Sequence, residues 1–351
     1  KIGVKILAYL VTGGCGFVGS NLTAELLRRG QHVVVVDNFT RPGTPANHAW
    51  LQSIGRFEFF HGDVRSSQDL ESILRQHAIE CVFHLAGQVA MTTSLENPRR
   101  DFEVNVLGTI NLLEAVRLHA PEATVVYASS NKVYGELEDC ELVELPTRYE
   151  PAGKKGVDEH ARLEFYTPYG CSKGAADQYM LEYARNFNLN TVVFRHSTIY
   201  GGRQISTFDQ GWVGWFCQQA LETKDHPAHT FTINGNGKQV RDLLHVSDAV
   251  ACYLTAHERR QHARGNAFNI GGGYENSMSL LELLLYLEAE LDVKLNSRPL
   301  PWRANDQKYF VADNSKAARI LSWVPKKPKA EGIADALAWE ISRRPIRSLL
   351  D

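Results

Sequence analysis

Short runs of β-branched residues alternate along the chain with segments whose apolar positions recur at helical spacing. An apolar run ends at Val11, a helical pattern follows from about Ser20 to Arg29, and Val33–Val36 closes on Asp37. The rhythm continues through Phe57–Phe60, a helix over Asp69–His77, Cys81–Leu85, one long helix from about Asp101 to His119, Thr124–Ala128 and Thr191–Phe194. Strands that are apolar on both faces and separated by helices are parallel and covered on each side. The pattern predicts an α/β fold built on a Rossmann-type doubly wound parallel sheet, with a smaller mixed α/β lobe.

The chain shows no internal repeat and no Gly/Ser or Pro-rich tether, so the second lobe is expected to arise from insertions. The division expected is 1–196 with 237–262 for the sheet domain and 197–236 with 263–351 for the smaller one. Pro146–Tyr166, with mixed charge and little periodicity, predicts a long surface excursion that leads into a helix reaching about Ala184.

Composition narrows the function classes. With 44% apolar residues in 351 and a net charge of −2, the chain has enough apolar mass for a large core, and it carries no Lys/Arg run to grip a polyanion. Nucleic acid and membrane surface are therefore not expected partners. No apolar stretch approaches the roughly 18 residues that cross a bilayer, and Lys1–Leu10 runs into glycines rather than a cleavage site, so cytoplasm is the expected compartment. The six cysteines never form a C-x-x-C pair and the 13 histidines show no H-x-H or H-E-x-x-H grouping, so no metal is expected.

Chemistry first enters at Val11-Thr12-Gly13-Gly14-Cys15-Gly16-Phe17-Val18-Gly19. Glycines at 13, 16 and 19 between a strand and a helix let backbone N–H groups approach a pyrophosphate at a helix N-terminus. Asp37 ends the second strand 18 residues after Gly19, where a carboxylate bonds the adenosine ribose and repels a 2′-phosphate. This favours NAD over NADP. Arg41 is an arginine that suits a 2′-phosphate, but it reads better as a solvated loop residue.

Tyr169-Gly170-Cys171-Ser172-Lys173 opens a helical stretch and puts a phenol and an ammonium one turn apart on one face. A phenol ordinarily titrates near pH 10, and a neighbouring cation brings it toward the range of a working base. Tyr127-Ala128-Ser129-Ser130 ends the fifth predicted strand, at the sheet edge where doubly wound folds bind ligands, so Ser130 is placed to hydrogen-bond the reacting oxygen.

These motifs, with Asp63-Val64, His84-Leu85-Ala86-Gly87, Asn105 and Gly108-Thr109, resemble the extended short-chain dehydrogenase/reductases that modify nucleotide sugars. The resemblance covers nearly the whole chain. It implies Gly13, Gly16, Phe17 and Val18 on the pyrophosphate, Asp37 and Asn38 on the adenosine ribose, and Asp63 and Val64 at the adenine. It further implies that Leu85, Ala86, Gly87 and Ser129 line the cofactor, with Asn105 supporting the wall and Lys173 on the nicotinamide ribose. Gly235-Asn236-Gly237-Lys238-Gln239-Val240-Arg241-Asp242 also resembles this family, where the arginine holds the substrate diphosphate. A diphosphate needs guanidinium forks, and Arg203 and Arg303 join Arg241 as candidates.

The two residues after Ser130 narrow the reaction. Dehydratases of this family carry an Asp-Glu pair there to expel water, whereas this chain has Asn131-Lys132. Longer strings around Gly87–Ser94, Ser130–Gly135, Tyr169–Tyr179 and Phe194–Gln204 resemble the CDP-paratose (CDP-tyvelose) 2-epimerases, with Ser130 where those relatives carry threonine. Thr198 and Ile199 stand where many extended members place an asparagine against the diphosphate. The resemblance implies inversion at C2 of a nucleotide-linked sugar through a transient 2-keto intermediate, with Gln88, Thr92, Asn131, Arg203, Gln204, Arg241 and Arg303 about the substrate. Alternatives are a 4-epimerase, a net NAD-dependent dehydrogenase or reductase, and a non-catalytic NAD-sensing protein. Trp212, Trp215 and Phe216 suit either base stacking or core packing, and His196 either approaches the nicotinamide carboxamide or is a satisfied buried histidine. A CDP-sugar is the favoured partner and a homodimer or homotetramer the expected assembly. The base and the degree of hydroxylation of the sugar stay open.

Overall fold

The computed structural model describes residues 6–303 and 306–344. The outer ends of the expected domain division, residues 1–5 and 345–351, lie outside the described residues. The first eight strands are β1 (Leu7–Thr12), β2 (Val33–Asp37), β3 (Glu58–His61), β4 (Ala78–His84), β5 (Thr124–Ser130), β6 (Leu142–Glu144), β7 (Tyr149–Pro151) and β8 (Asn190–His196). Then come β9 (Thr198–Tyr200), β10 (Phe231–Asn234), β11 (Val240–His245), β12 (Asn266–Ile270), β13 (Ser277–Ser279), β14 (Ser297–Leu300) and β15 (Tyr309–Phe310).

Seven strands form one parallel sheet in the order β12-β8-β5-β4-β1-β2-β3. Successive side chains of a strand point to opposite faces, and β2 shows the consequence. Val33 and Val35 join the cluster under helices Phe17–Arg28 and Val246–Glu258, while Val34 and Val36 join the one under helices Ser67–Gln76, Gly108–His119 and Thr167–Asn186. All four are fully buried, which explains an unbroken valine run. The chain leaves β1 toward β2 on one side and β4 lies on the other, so their carboxyl ends open a crevice where ligands bind in such sheets.

A second core gathers Tyr200, Val213, Cys217, Leu283, Leu287 and Ile333 around helices Trp212–Asp225, Leu280–Leu291 and Lys329–Ser342. Two segments sit on the other side of the division expected from sequence. β11 pairs with β9, β13 and β15 rather than with the large sheet, and β12 closes the large sheet against β8. Periodicity marks a strand but does not say which edge it pairs with, so only the tertiary fold makes this assignment. Pro146–Tyr166 is also more anchored than a surface excursion. Tyr149 and Pro151 are buried, Val157 bridges Ala312, and Leu163 and Phe165 pack on Tyr134 and Phe310.

The long helix expected over Asp101–His119 is present and starts earlier, at Pro98; it runs without a break through Pro98–Phe102, a π-helical turn Glu103–Leu107, and Gly108–His119. Asn105 stands in that turn, a local widening that recurs at functional sites. The Tyr169 helix runs Thr167–Asn186 and carries Pro168 in its first turn, where a missing N–H is harmless. No described helix is long and apolar enough to cross a membrane.

Candidate active site

After β1 the chain turns on Gly13, whose φ is +68°, and a Cβ there would lie 2.7 Å from the Ala86 nitrogen. At Gly19 a Cβ would come within 2.1 Å of the Gly13 carbonyl oxygen, so the helix Phe17–Arg28 packs on its own entry loop only because no side chain intervenes. The loop and helix start make a cradle of backbone amides suited to a diphosphate. Asp37 accepts from the Cys15 amide at 3.0 Å and the Phe39 amide at 2.9 Å, tying the cradle to the end of β2, and its burial raises its pKa. Asn38 donates to Asp63 at 2.9 Å, and although burial alone would raise Asp63, its bonds to Arg65 and Asn38 bring it down to about 2.

The crevice widens into one cavity of about 700 Å³ that runs from the glycine cradle to the second lobe. Of the residues expected at the site, only Asn105 and Thr92 are not on its wall. Asn105 acts from behind: its Oδ1 accepts from the Gln88 amide at 2.9 Å and its Nδ2 donates to Ser172 Oγ at 2.9 Å. Thr92 turns its hydroxyl into the protein, where it finds no partner, and Met91 and Thr93 face the cavity instead. A six-residue helix, Met91–Glu96, rotates alternate side chains inward, which sequence spacing over so short a segment does not reveal.

At the cavity floor Ser130 lies close to Tyr169, while Lys173 Nζ donates to the Ala128 carbonyl at 2.9 Å. Burial pushes the phenol up to about 12, with the nearby Ser130 hydroxyl opposing it, and pushes the ammonium down to about 8. Lys173, expected with Ser130 to bring the phenol toward a working range, does not bring it down in this structure. Its ammonium is engaged by a carbonyl, and desolvation outweighs it. Ser129 spends its hydroxyl on Asp177 at 2.8 Å, and Asp177 is paired in turn with the buried Arg195 at 2.8 Å. His196 shares a 2.7 Å hydrogen bond with the Tyr253 hydroxyl and is pushed down to about 3 by burial, so it stays a neutral wall residue.

The substrate-side candidates divide into two groups. Arg241 and Lys132 converge on one carboxylate: Arg241 donates to Asp306 at 2.8 Å, and Lys132 Nζ lies 3.5 Å from it without a hydrogen bond. Arg303 lies over the Phe208 ring and bonds its carbonyl at 3.0 Å. Together they make an electropositive wall fit for a diphosphate. Gln88, by contrast, is used up holding its own loop, donating to Ala90 O at 2.7 Å and Asp101 at 2.9 Å. Asn131 is locked to the buried Gln307 at 2.7 Å, and the guanidinium of Arg203 is stacked between Trp50 and Trp339. Gln204 is buried beneath Gly211, with its carbonyl 3.3 Å from Trp339 Nε1.

Arg41 differs from the solvated loop arginine expected: it is half-buried on the cavity wall, its pKa lowered by burial, and it bonds Gln210. Trp212, Trp215 and Phe216 line the cavity and also pack on the second core, so the two readings of that stripe are not exclusive. Asp306, Gln307 and Asp101 were not singled out from sequence. No motif marks them, and each matters only through a partner more than sixty residues away in the chain or buried behind the cavity wall.

A family model described as the NAD dependent epimerase/dehydratase family matches residues 9–271. The chain is 52% identical over 334 residues to a CDP-paratose 2-epimerase of Salmonella typhi, covering 95% of this chain and 99% of that protein. It is 30% identical to a putative UDP-glucose 4-epimerase of Methanocaldococcus jannaschii, covering 94% and 97% respectively. The fold matches the crystal structure of a UDP-glucuronic acid 4-epimerase from Bacillus cereus in complex with UDP-glucuronic acid and NAD. That match has a TM-score of 0.81 at 27% identity and covers 95% of this chain and 99% of the other.

Proposed function

The chain belongs to the NAD dependent epimerase/dehydratase family, and from that premise we propose that it inverts C2 of a CDP-linked sugar of the paratose and tyvelose type through a 2-keto intermediate. Its cofactor is NAD. The observation that carries the reading is the 52% identity along 95% of the chain, with Ser130, Tyr169 and Lys173 together at the floor of the large cavity. In this reading the large-sheet lobe holds the dinucleotide and the smaller lobe the nucleotide sugar.

NAD, when bound, supplies the acceptor and donor for the C2 hydrogen and, while oxidised, a positive charge beside the phenol. Tyr169, which burial otherwise keeps protonated, would be the group this charge favours as phenolate. Tyr169 Oη then takes the proton of the C2 hydroxyl, steadied by Ser130, and Lys173 keeps a cation close to the developing phenolate. Arg241, Lys132 and Arg303 hold the diphosphate as a pivot while the sugar ring turns its other face to the floor. Tyr169 returns the proton to O2, so each turnover ends with the side chains as they began.

The decisive experiment gives the purified protein a panel of CDP-, GDP- and UDP-sugars without added cofactor and follows C2 and C4 configuration by NMR. Inversion at C2 of a CDP-sugar is expected. Inversion at C4 alone, or a stoichiometric rise in nicotinamide absorbance, would replace the reading with an alternative one.

We further propose a homo-oligomer. Phe102, Leu107 and Leu118 are exposed on the helices around Asn105, and Tyr179 and Phe187 are exposed on and just after the Tyr169 helix, an unusual amount of apolar surface for one region. Light scattering that returns the mass of a single chain would overturn this.

A further inference from the structure

Helix Pro98–Phe102 buries a carboxylate that does not line the cavity. Asp101 is 0% exposed. One of its oxygens accepts from the Ser172 hydroxyl and the other from Gln88 Nε2 at 2.9 Å. Both donors are neutral, and no lysine or arginine among the described residues forms an ion pair with it. A carboxylate withdrawn from water without a counter-charge is strongly disfavoured, so the field of a more distant cation decides whether it stays ionised.

Lys173 is that cation. Ser172 precedes it on the Tyr169 helix and also receives Asn105 Nδ2 at 2.9 Å. On the far side of this small network lies Gly87, where a Cβ would sit 3.0 Å from both Asn105 Oδ1 and Lys173 Nζ. Lys173 is likewise buried, its hydrogen bond going to a carbonyl. Two opposite charges are thus enclosed on either side of one small network, and among the described residues neither has an ion-pair partner in contact.

We propose that Asp101 is a positioning residue for the reaction, its carboxylate serving through the Ser172–Asn105 network as the remote counter-charge that keeps Lys173 protonated and sets the pH range in which Tyr169 and Lys173 work. The proposal rests on the reading of Tyr169 and Lys173 as the reacting pair. The charges agree with the geometry. Burial lowers Lys173 and Asp101 opposes it, while burial raises Asp101 and its bond to Ser172, followed by Lys173, opposes that. Asp101 also holds the Tyr169 phenol up.

Other groups facing the pair do not substitute for it. Asp177, on the same helix, is neutralised by Arg195 at 2.8 Å. Tyr127 on β5 is held neutral by burial, and His84 on β4 and His196 on β8 are both pushed down to about 3. On the helical segment of Asp101 itself, Arg99 is paired with Glu103 at 2.8 Å and Arg100 is exposed on the cavity wall.

The direction of the pH shift is diagnostic. Removing the negative charge disfavours the ammonium of Lys173 and favours the phenolate of Tyr169, so both pKa values fall. In Asp101→Asn the acid and alkaline limbs of the kcat profile should therefore move together to lower pH by about one unit, measured on the holoenzyme with the CDP-sugar that the wild type epimerises. A uniform loss of kcat at every pH, or an unmoved profile, would overturn the proposal, since a merely structural role lowers the curve without sliding it. Ser172→Ala, which keeps the carboxylate but removes its hydrogen bond, should shift both limbs in the same direction by less, and decides the matter if Asp101→Asn does not fold. An alkaline shift or none in Ser172→Ala overturns the idea as well. A wild type that epimerises no nucleotide sugar would instead sink the functional reading on which the proposal rests.

Discussion

Tyr169 stands under opposing influences that its sequence context only half reveals. A phenol and a lysine one turn apart on a helix suggest activation, yet burial pushes this phenol up to about 12 and the lysine donates to Ala128 instead. In the proposed reaction the phenol would become basic only in the assembled site, with the charge of bound NAD favouring the phenolate. Tyr169→Phe should accordingly keep NAD, detected as nicotinamide absorbance carried through purification, while kcat falls by about 10²- to 10⁴-fold. Turnover near the wild-type rate in that variant would remove the phenol from the chemistry. Residues with a motif around them, such as Ser130 or Arg241, were legible at this scale. Asp306 was not, because it acts by gathering Arg241 and Lys132 from segments far apart in the chain.

Among the elements, the glycine cradle was the most legible, since its three glycines answer to hard contacts. Gly19 is the tightest, a Cβ there meeting backbone at 2.1 Å rather than a side chain that can rotate away. Gly19→Ala should destabilise the fold by about 1–3 kcal/mol, as other overpacked positions do, and weaken NAD binding at least tenfold. Urea unfolding and a fluorescence titration with NAD check the two effects, and unchanged values in both would show that the helix has room to shift. The widening of the helix before Gly108 was not legible. No residue type marks a π turn, and Asn105 within it meets Gln88 and Ser172 only in the folded chain.

For the whole molecule, one continuous cavity joins the cofactor cradle to the electropositive wall of the second lobe, so a sugar ring can turn without leaving. Substrate carrying deuterium at C2 should therefore keep its label through epimerisation, followed by NMR, because the hydrogen is removed and restored inside the same enclosure. Extensive exchange with solvent would point to proton abstraction from carbon instead. β11 contributes Arg241 to the cavity wall, while β12 closes the far edge of the large sheet.

The sequence by itself determined the parallel sheet, the glycine turn after β1 and the placing of Tyr169 and Lys173 one turn apart on a helix, because each is encoded by spacing within a short stretch and by backbone sterics that hold in any context. Tertiary structure alone decided which strand edges β11 and β12 pair with, that Thr93 rather than Thr92 faces the cavity, and that Gln88, Asn131 and Arg203 are engaged by neighbours. It also decided how buried charges such as Asp101, Asp306 and Lys173 are balanced. Desolvation and charge pairing depend on distances through space between residues far apart in the chain, and no local pattern records them.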